Sequence, residues 1–138
     1  MAEDLGSLYA WAHLIGRFLF ALAFLASGLA HWQQLDALAG VAARRGIPAA
    51  KVVTAISGAL ILVAGLSILL GWHRFIGAGL LVLFLIGRAF IIHAFWKESD
   101  PAIREGERTH FLKDLGLAGA ALFIAYHAGQ NWPFSIGG

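Results

Sequence analysis

Four apolar stretches, each close to twenty residues long, limit what this chain can fold into. They run from Leu14 to Trp32, Val52 to Trp72, Phe75 to Trp96 and Phe111 to Ala128, and each is long enough as a helix to cross ~30 Å of hydrocarbon. They are too long and continuous for strands, and a transmembrane barrel needs alternation and more segments. Composition agrees: 59% of the 138 residues are hydrophobic and 13% charged, against about 25% charged in an ordinary soluble domain. Too little polar surface remains to coat even a small sphere. The expected fold is all-α, a four-transmembrane-helix antiparallel bundle forming a single domain over residues 1–138.

The connections refine this picture. Only Gly71-Trp72-His73-Arg74 separates the second and third spans, which forces a tight antiparallel hairpin and places the two long connections together on the other side. In the first of these, Leu35, Leu38, Ala39 and Ala42 recur at helical spacing before Arg44-Arg45-Gly46-Ile47-Pro48. That pattern predicts a short amphipathic interfacial helix between helices 1 and 2, stopped at Gly46. The second, Lys97 to His110, is polar and reads as a surface connection. Pairs such as Ala23 with Ser27, Ala55 with Ala59 and Gly116 with Ala120 offer small faces for helix packing. Trp11, Trp32, Trp72, Trp96 and Trp132 fall near span ends, as interfacial anchors do.

Charge gives an orientation. Arg44, Arg45, Lys51, Lys97, Arg104, Arg108 and Lys113 gather on the long-connection side, and positive residues favour the cytoplasm. The long loops are therefore expected inside and both termini outside. The acidic start at Glu3 and Asp4 lacks the positive region of a cleavable signal, so the first span is expected to remain. The net charge of +2 comes without any basic block, which argues against nucleic acid as a partner. The lipid bilayer and other membrane subunits are the expected partners.

Of the 18 charged residues, Arg17 and Arg88 fall inside spans. A charge near the midplane costs on the order of 3 kcal/mol or more, so Arg88 should face the interior and find a partner. Asp114 is the acid placed to supply it, either as a structural ion pair or as part of a site for an anion, a quinone oxygen or a lipid headgroup. Arg17 is shallower and reads as a side chain snorkelling to the interface.

Further residues gather at the depth of Arg88. His31, His93, Trp96, Lys113 and Asp114 come from three helices and with it form a candidate quinone- or anion-binding cluster: donors for carbonyl oxygens, an aromatic wall and access from lipid. The alternative is a set of ordinary interfacial anchors. His31 with His93 is the best placed pair for a b-type haem, but no recurrent bis-histidine spacing is present and haem is disfavoured. No metal-ligand set, Ser-His-acid constellation, phosphate loop or intramembrane carboxylate pair is evident. The catalytic residues are unassigned.

Several motifs also carry a family likeness. Gly16-Arg17-Phe18-Leu19-Phe20 leading to Ser27-Gly28-Leu29-Ala30-His31, the Arg44-to-Pro48 stop, His93-Ala94-Phe95-Trp96 and Phe111-Leu112-Lys113-Asp114-Leu115 together resemble the DoxX family of small four-helix membrane proteins, over nearly the whole chain. The resemblance implies a bacterial or archaeal inner-membrane protein. Relatives are linked to quinone-dependent sulfur-compound oxidation or oxidative-stress assemblies, most without an established activity of their own. By position it singles out Arg17, His93, Phe95, Trp96, Lys113 and Asp114. Two departures stand out: the family often has His-Asp-Phe-Trp and Lys-Asn where this chain has Ala94 and Asp114, and many members carry a glutamate in the second helix, where Val52 to Trp72 has no acid. Four-helix thiol oxidoreductases that use quinone need a Cys-x-x-Cys pair, and this chain has no cysteine.

The resulting expectation is an integral membrane accessory subunit, linked to quinone and to a membrane oxidoreductase or electron-transfer assembly, and not catalytic alone. A purely structural subunit of a larger complex is the alternative. A small carrier or channel is disfavoured by the sparse intramembrane charge and the lack of repeat symmetry.

Overall fold

The computed structural model describes residues 1–137 and is all-helical among them; Gly138, the last residue of the expected domain, lies outside the described residues. Helices α1 (Ala2–Gln33), α3 (Ala50–Leu70), α4 (Arg74–Ile91) and α5 (Pro101–Tyr126) are each long and apolar enough to cross a membrane. The short α2 (Leu35–Arg44) lies between α1 and α3 with Ala39 and Ala42 buried, as its apolar spacing predicts. Both of its neighbouring stops are Schellman motifs. Gly46 (φ 85°) ends α2 with the Ile47 N–H on the Ala42 carbonyl at 3.1 Å, and Gly71 (φ 70°) ends α3 with the Trp72 N–H on the Ser67 carbonyl at 2.9 Å.

Three boundaries differ from the sequence reading, each for a physical reason. The first helix begins at Ala2 rather than near Leu14; its 32 residues make about 48 Å at ~1.5 Å each, so its exposed first turns project beyond the bundle. The fourth spanning helix begins ten residues early: Asp100 caps it by accepting from the N–H groups of Ala102 (2.8 Å) and Ile103 (3.2 Å), with Pro101 in the first turn. The polar stretch read as a surface connection is therefore largely helix. The third apolar span runs from Arg74 to Lys97, but its regular α-helix ends at Ile91. The chain then turns through a short 3₁₀ segment at Phe95–Lys97, which carries His93, Phe95 and Trp96 onto α5.

The core is made mostly of small side chains. Ala64, Ala78, Ala118 and Ala121 surround Phe24, Ile61, Ile68, Leu81 and Leu85, while Leu19, Ile56, Val63, Leu83 and Phe123 point outward. Large apolar groups outside and alanines inside are what a lipid solvent selects, since tight backbone approach rather than apolar burial drives association there. The close crossing of α1 and α3 is at Gly28 and Gly58, while Ala23 and Gly116, from the expected small-residue pairs, are exposed. A Cβ on Gly28 would lie 2.9 Å from the Gly58 carbonyl oxygen, and one on Gly58 would lie 2.7 Å from the His31 Cβ. We expect Gly28→Val to force the helices apart and to cost about 2 kcal/mol, read as a lower midpoint of unfolding in detergent; an unchanged midpoint would mean that the crossing tolerates a wider separation.

The helices pack in the order α1, α3, α4, α5, and α1 nowhere comes within 8 Å of α4 or α5 between Cα atoms among the described residues. Longer side chains bridge the wider gap, with Phe24 in the shared core and the His31 and Phe84 rings 6.1 Å apart, and two cavities lie beside α1, one toward each end of the bundle.

Candidate functional site

The first cavity lies on the long-connection side, between α1, α2, α3, α4 and the first turns of α5, and has a volume of about 600 Å³. Its wall is mainly apolar, from residues such as Leu38, Ile47, Phe84 and Ile92, and it carries His31, Gln34, Ser57, Arg88, His93 and Glu107 as polar groups. Its exposed lining residues are the apolar Val53, Leu83 and Ile91 and the polar Gln34 and His110.

Arg88 is placed by helical depth and held by Asp114. Its Nε donates to Asp114 Oδ2 at 2.7 Å and its Nη2 to Oδ1, a bidentate pair around a carboxylate with no exposed surface. Nη1 is the remaining guanidinium nitrogen, on a side chain that lines the cavity, and the Phe84 ring stacks 5.1 Å from the guanidinium carbon. On the facing helix, His31 Nδ1 lies 2.7 Å from the Ser27 carbonyl oxygen. A carbonyl only accepts, so Nδ1 carries the proton and Nε2 of the neutral ring presents a lone pair.

From Asp114 a ladder of polar groups climbs to the polar face. His93 Nε2 lies 3.8 Å from Asp114 Oδ2, and His93 Nδ1 donates to Glu107 Oε2 at 2.9 Å. Glu107 lies 3.9 Å from Arg45, which bonds Glu98 at 2.6 Å. This ladder ties the end of α2 to α5 and to the 3₁₀ turn. His110 stacks on His93 with ring centres 5.1 Å apart.

Of the residues singled out from the sequence, His31, Arg88 and His93 line this cavity together, and Asp114 sits behind Arg88. Trp96 and Lys113 do not join them. Trp96 is half exposed and packs on Phe90 and Phe111, while Lys113 is exposed beside His110 at 3.2 Å. Glu107, Phe84, Ser57 and Arg45 were missed. Glu107 was hidden because residues 97–110 read as a loop; once Asp100-Pro101 is taken as a helix start, Glu107 falls two turns before Asp114 on the same face.

On the opposite face, Arg17 does not snorkel to open interface. It is 5% exposed and lies under the C-terminal segment, donating from Nη2 to the Phe134 carbonyl at 3.1 Å. Trp132, expected to be an interfacial anchor, is 8% exposed and stacks near both Arg17 (5.6 Å) and Arg74 (4.8 Å). Cation–π attraction to two guanidinium groups explains its burial. Arg74 donates to the carbonyls of Ala128 (2.6 Å), Gln130 (2.7 Å), Gly71 (3.1 Å) and Gly137 (3.4 Å).

Fold and exposed apolar surface together define a multi-pass helical membrane protein. The family model DoxX matches residues 12–94, and the chain belongs to the DoxX family. The match spans Arg17, His31, Arg88 and His93, while Glu107 and Asp114 lie beyond it. No curated protein and no solved structure matches the chain.

Proposed function

We propose that this protein is a membrane accessory subunit that holds a quinone ring in the cavity beside Arg88 and serves a membrane oxidoreductase or electron-transfer assembly instead of catalysing alone. The observation that carries this reading is the cavity itself. Its volume suits a ring-sized ligand, its wall is mainly apolar, and the exposed apolar Val53, Leu83 and Ile91 border it, where an isoprenoid tail would lie. A carbonyl oxygen of the quinone would accept from Arg88 Nη1, and a quinol hydroxyl would donate to His31 Nε2. The Arg88–Asp114 pair holds the donor in place, and the ladder through His93 and Glu107 links the site to the basic face. We place that face on the cytoplasmic side of a bacterial or archaeal inner membrane, following the positive-inside bias.

Arg88 is a poor probe because its removal strands Asp114. Gly87 is better: it lines the cavity, and a Cβ there has no neighbour within 4 Å. Protein extracted from its native membrane in mild detergent is expected to carry quinone, and Gly87→Phe is expected to fold normally and lose most of it. Equal quinone content in the two proteins would contradict the reading.

A further inference from the structure

We propose that the second cavity, between α1 and α5 at the hairpin end, is an oxyanion-binding site with an apolar floor, suited to a phosphate or carboxylate group. It has a volume of about 550 Å³ and lies on the opposite membrane face from the quinone cavity. The site is independent of that reading.

Unpartnered nitrogens point to it. Among the described residues, the buried side-chain nitrogens and oxygens that lack any hydrogen-bond partner are Arg17 Nε, Arg17 Nη1 and His13 Nδ1. His13 and Arg17 are four residues apart on one face of α1, and both line this cavity. Buried polar atoms are nearly always satisfied, and a guanidinium with free N–H groups is a charge-assisted donor for an oxyanion.

The charge around the cavity has the same sign. Arg17 and Arg74 both lie against Trp132, and neither makes an ion pair within 4.0 Å among the described residues. The acids at the start of α1, Glu3 and Asp4, are exposed and about 20 Å or so along the helix from Arg17. By contrast, Arg88 on the other face has its carboxylate. Two buried guanidinium groups with no carboxylate within 4.0 Å among the described residues leave a positive well that an external anion would fill.

The remaining wall indicates how the anion would be carried. Trp132 stands beside the guanidinium groups, while Phe20, Phe123 and Ile124 line the cavity, and Phe123 is exposed on the lipid side. A phosphate on a lipid headgroup would place its charge at Arg17 and its chain along this apolar wall; a free phosphate would use the same donors.

The test uses full-length protein in a neutral detergent at constant ionic strength. Phosphatidylglycerol, phosphatidylcholine and inorganic phosphate are added separately, with thermal unfolding and native mass spectrometry as readouts. We expect phosphatidylglycerol to bind and to raise the unfolding midpoint more than phosphatidylcholine does. Arg17→Leu should weaken this by about tenfold or more. Gly16→Phe serves as the second variant: Gly16 lines the cavity, and a Cβ there has no neighbour within 4 Å, so the site is filled while Arg17 and the fold are kept. Binding by phosphate alone identifies a free oxyanion, and binding by phosphatidylglycerol alone a headgroup; either supports the site. If neither anion binds, or if both variants bind as the parent does, the proposal is overturned.

Discussion

Replacing Arg88 by methionine is expected to destabilise the protein by about 3–5 kcal/mol, the range found when one partner of a buried ion pair is removed. Asp114 has no exposed surface and takes two hydrogen bonds from this guanidinium. Without it, the carboxylate must stay charged in a low-dielectric interior with only His93, at 3.8 Å, beside it, or take up a proton. Arg88→Lys should recover little, because an ammonium cannot make the bidentate contact. Pairing Arg88→Met with Asp114→Leu should recover most of the loss, since a packed apolar pair can replace a buried ion pair at little cost. Unfolding midpoints of the parent, Arg88→Met, Asp114→Leu and the double variant in one detergent provide the cycle. If the double variant is as unstable as the two single losses combined, the pair is not what makes each single change costly.

Arg74→Gln is the second large effect. One guanidinium gathers carbonyls from the hairpin at Gly71 and from Ala128, Gln130 and Gly137, fastening the C-terminal segment over the bundle. Charge-assisted hydrogen bonds contribute about 1.5–3 kcal/mol each, but carbonyls near the membrane surface regain water when released. A total loss of about 3 kcal/mol is the expected result. Arg74→Lys should not restore stability, because three N–H groups on one nitrogen cannot reach four carbonyls spread around a planar fork. Limited proteolysis gives the local readout: cleavage after Tyr126 should accelerate strongly in Arg74→Gln. Cleavage at the parent rate would show that Trp132 and the Ile136 N–H bond to the Leu70 carbonyl hold the segment by themselves.

Much of the architecture is legible in the sequence because the bilayer simplifies the problem. Apolar length counts the spans, and Gly46 and Gly71 mark two helix ends by a conformation that glycine adopts freely. The depth of Arg88 demands a partner, and Asp114 provides it. Polar residues outside the apolar stretches were harder to place. Residues 101–110 are helical without an apolar stripe, so hydropathy gives no sign of them, and Asp100-Pro101 was the available cue. The early end of α4 has no glycine or proline to mark it; the turn at Ala94 is set by packing of His93 and Phe95 on α5.

The site was legible in proportion to depth. Arg88, His31 and His93 lie in or beside spans and come together as spacing implies. Trp96 and Lys113 share that depth but face elsewhere, because the break after Ile91 turns Trp96 outward and the period of α5 points Lys113 away from Asp114. The burial of Arg17 and Trp132 depends on a C-terminal segment with no span of its own, folded back by Arg74. No periodicity announces such a contact.

Photolabelling with a ring-azido quinone is the most direct test of the proposal that the cavity beside Arg88 holds a quinone. Irradiated protein, digested and mapped by mass spectrometry, should carry the label between Ser27 and Gln34, at the end of α1, and between Leu83 and Ile92, at the end of α4, segments that line the cavity. Excess unlabelled quinone and Gly87→Phe should each abolish it. Label spread over the outward faces of α1 and α5, unchanged by competitor or by Gly87→Phe, would contradict the account.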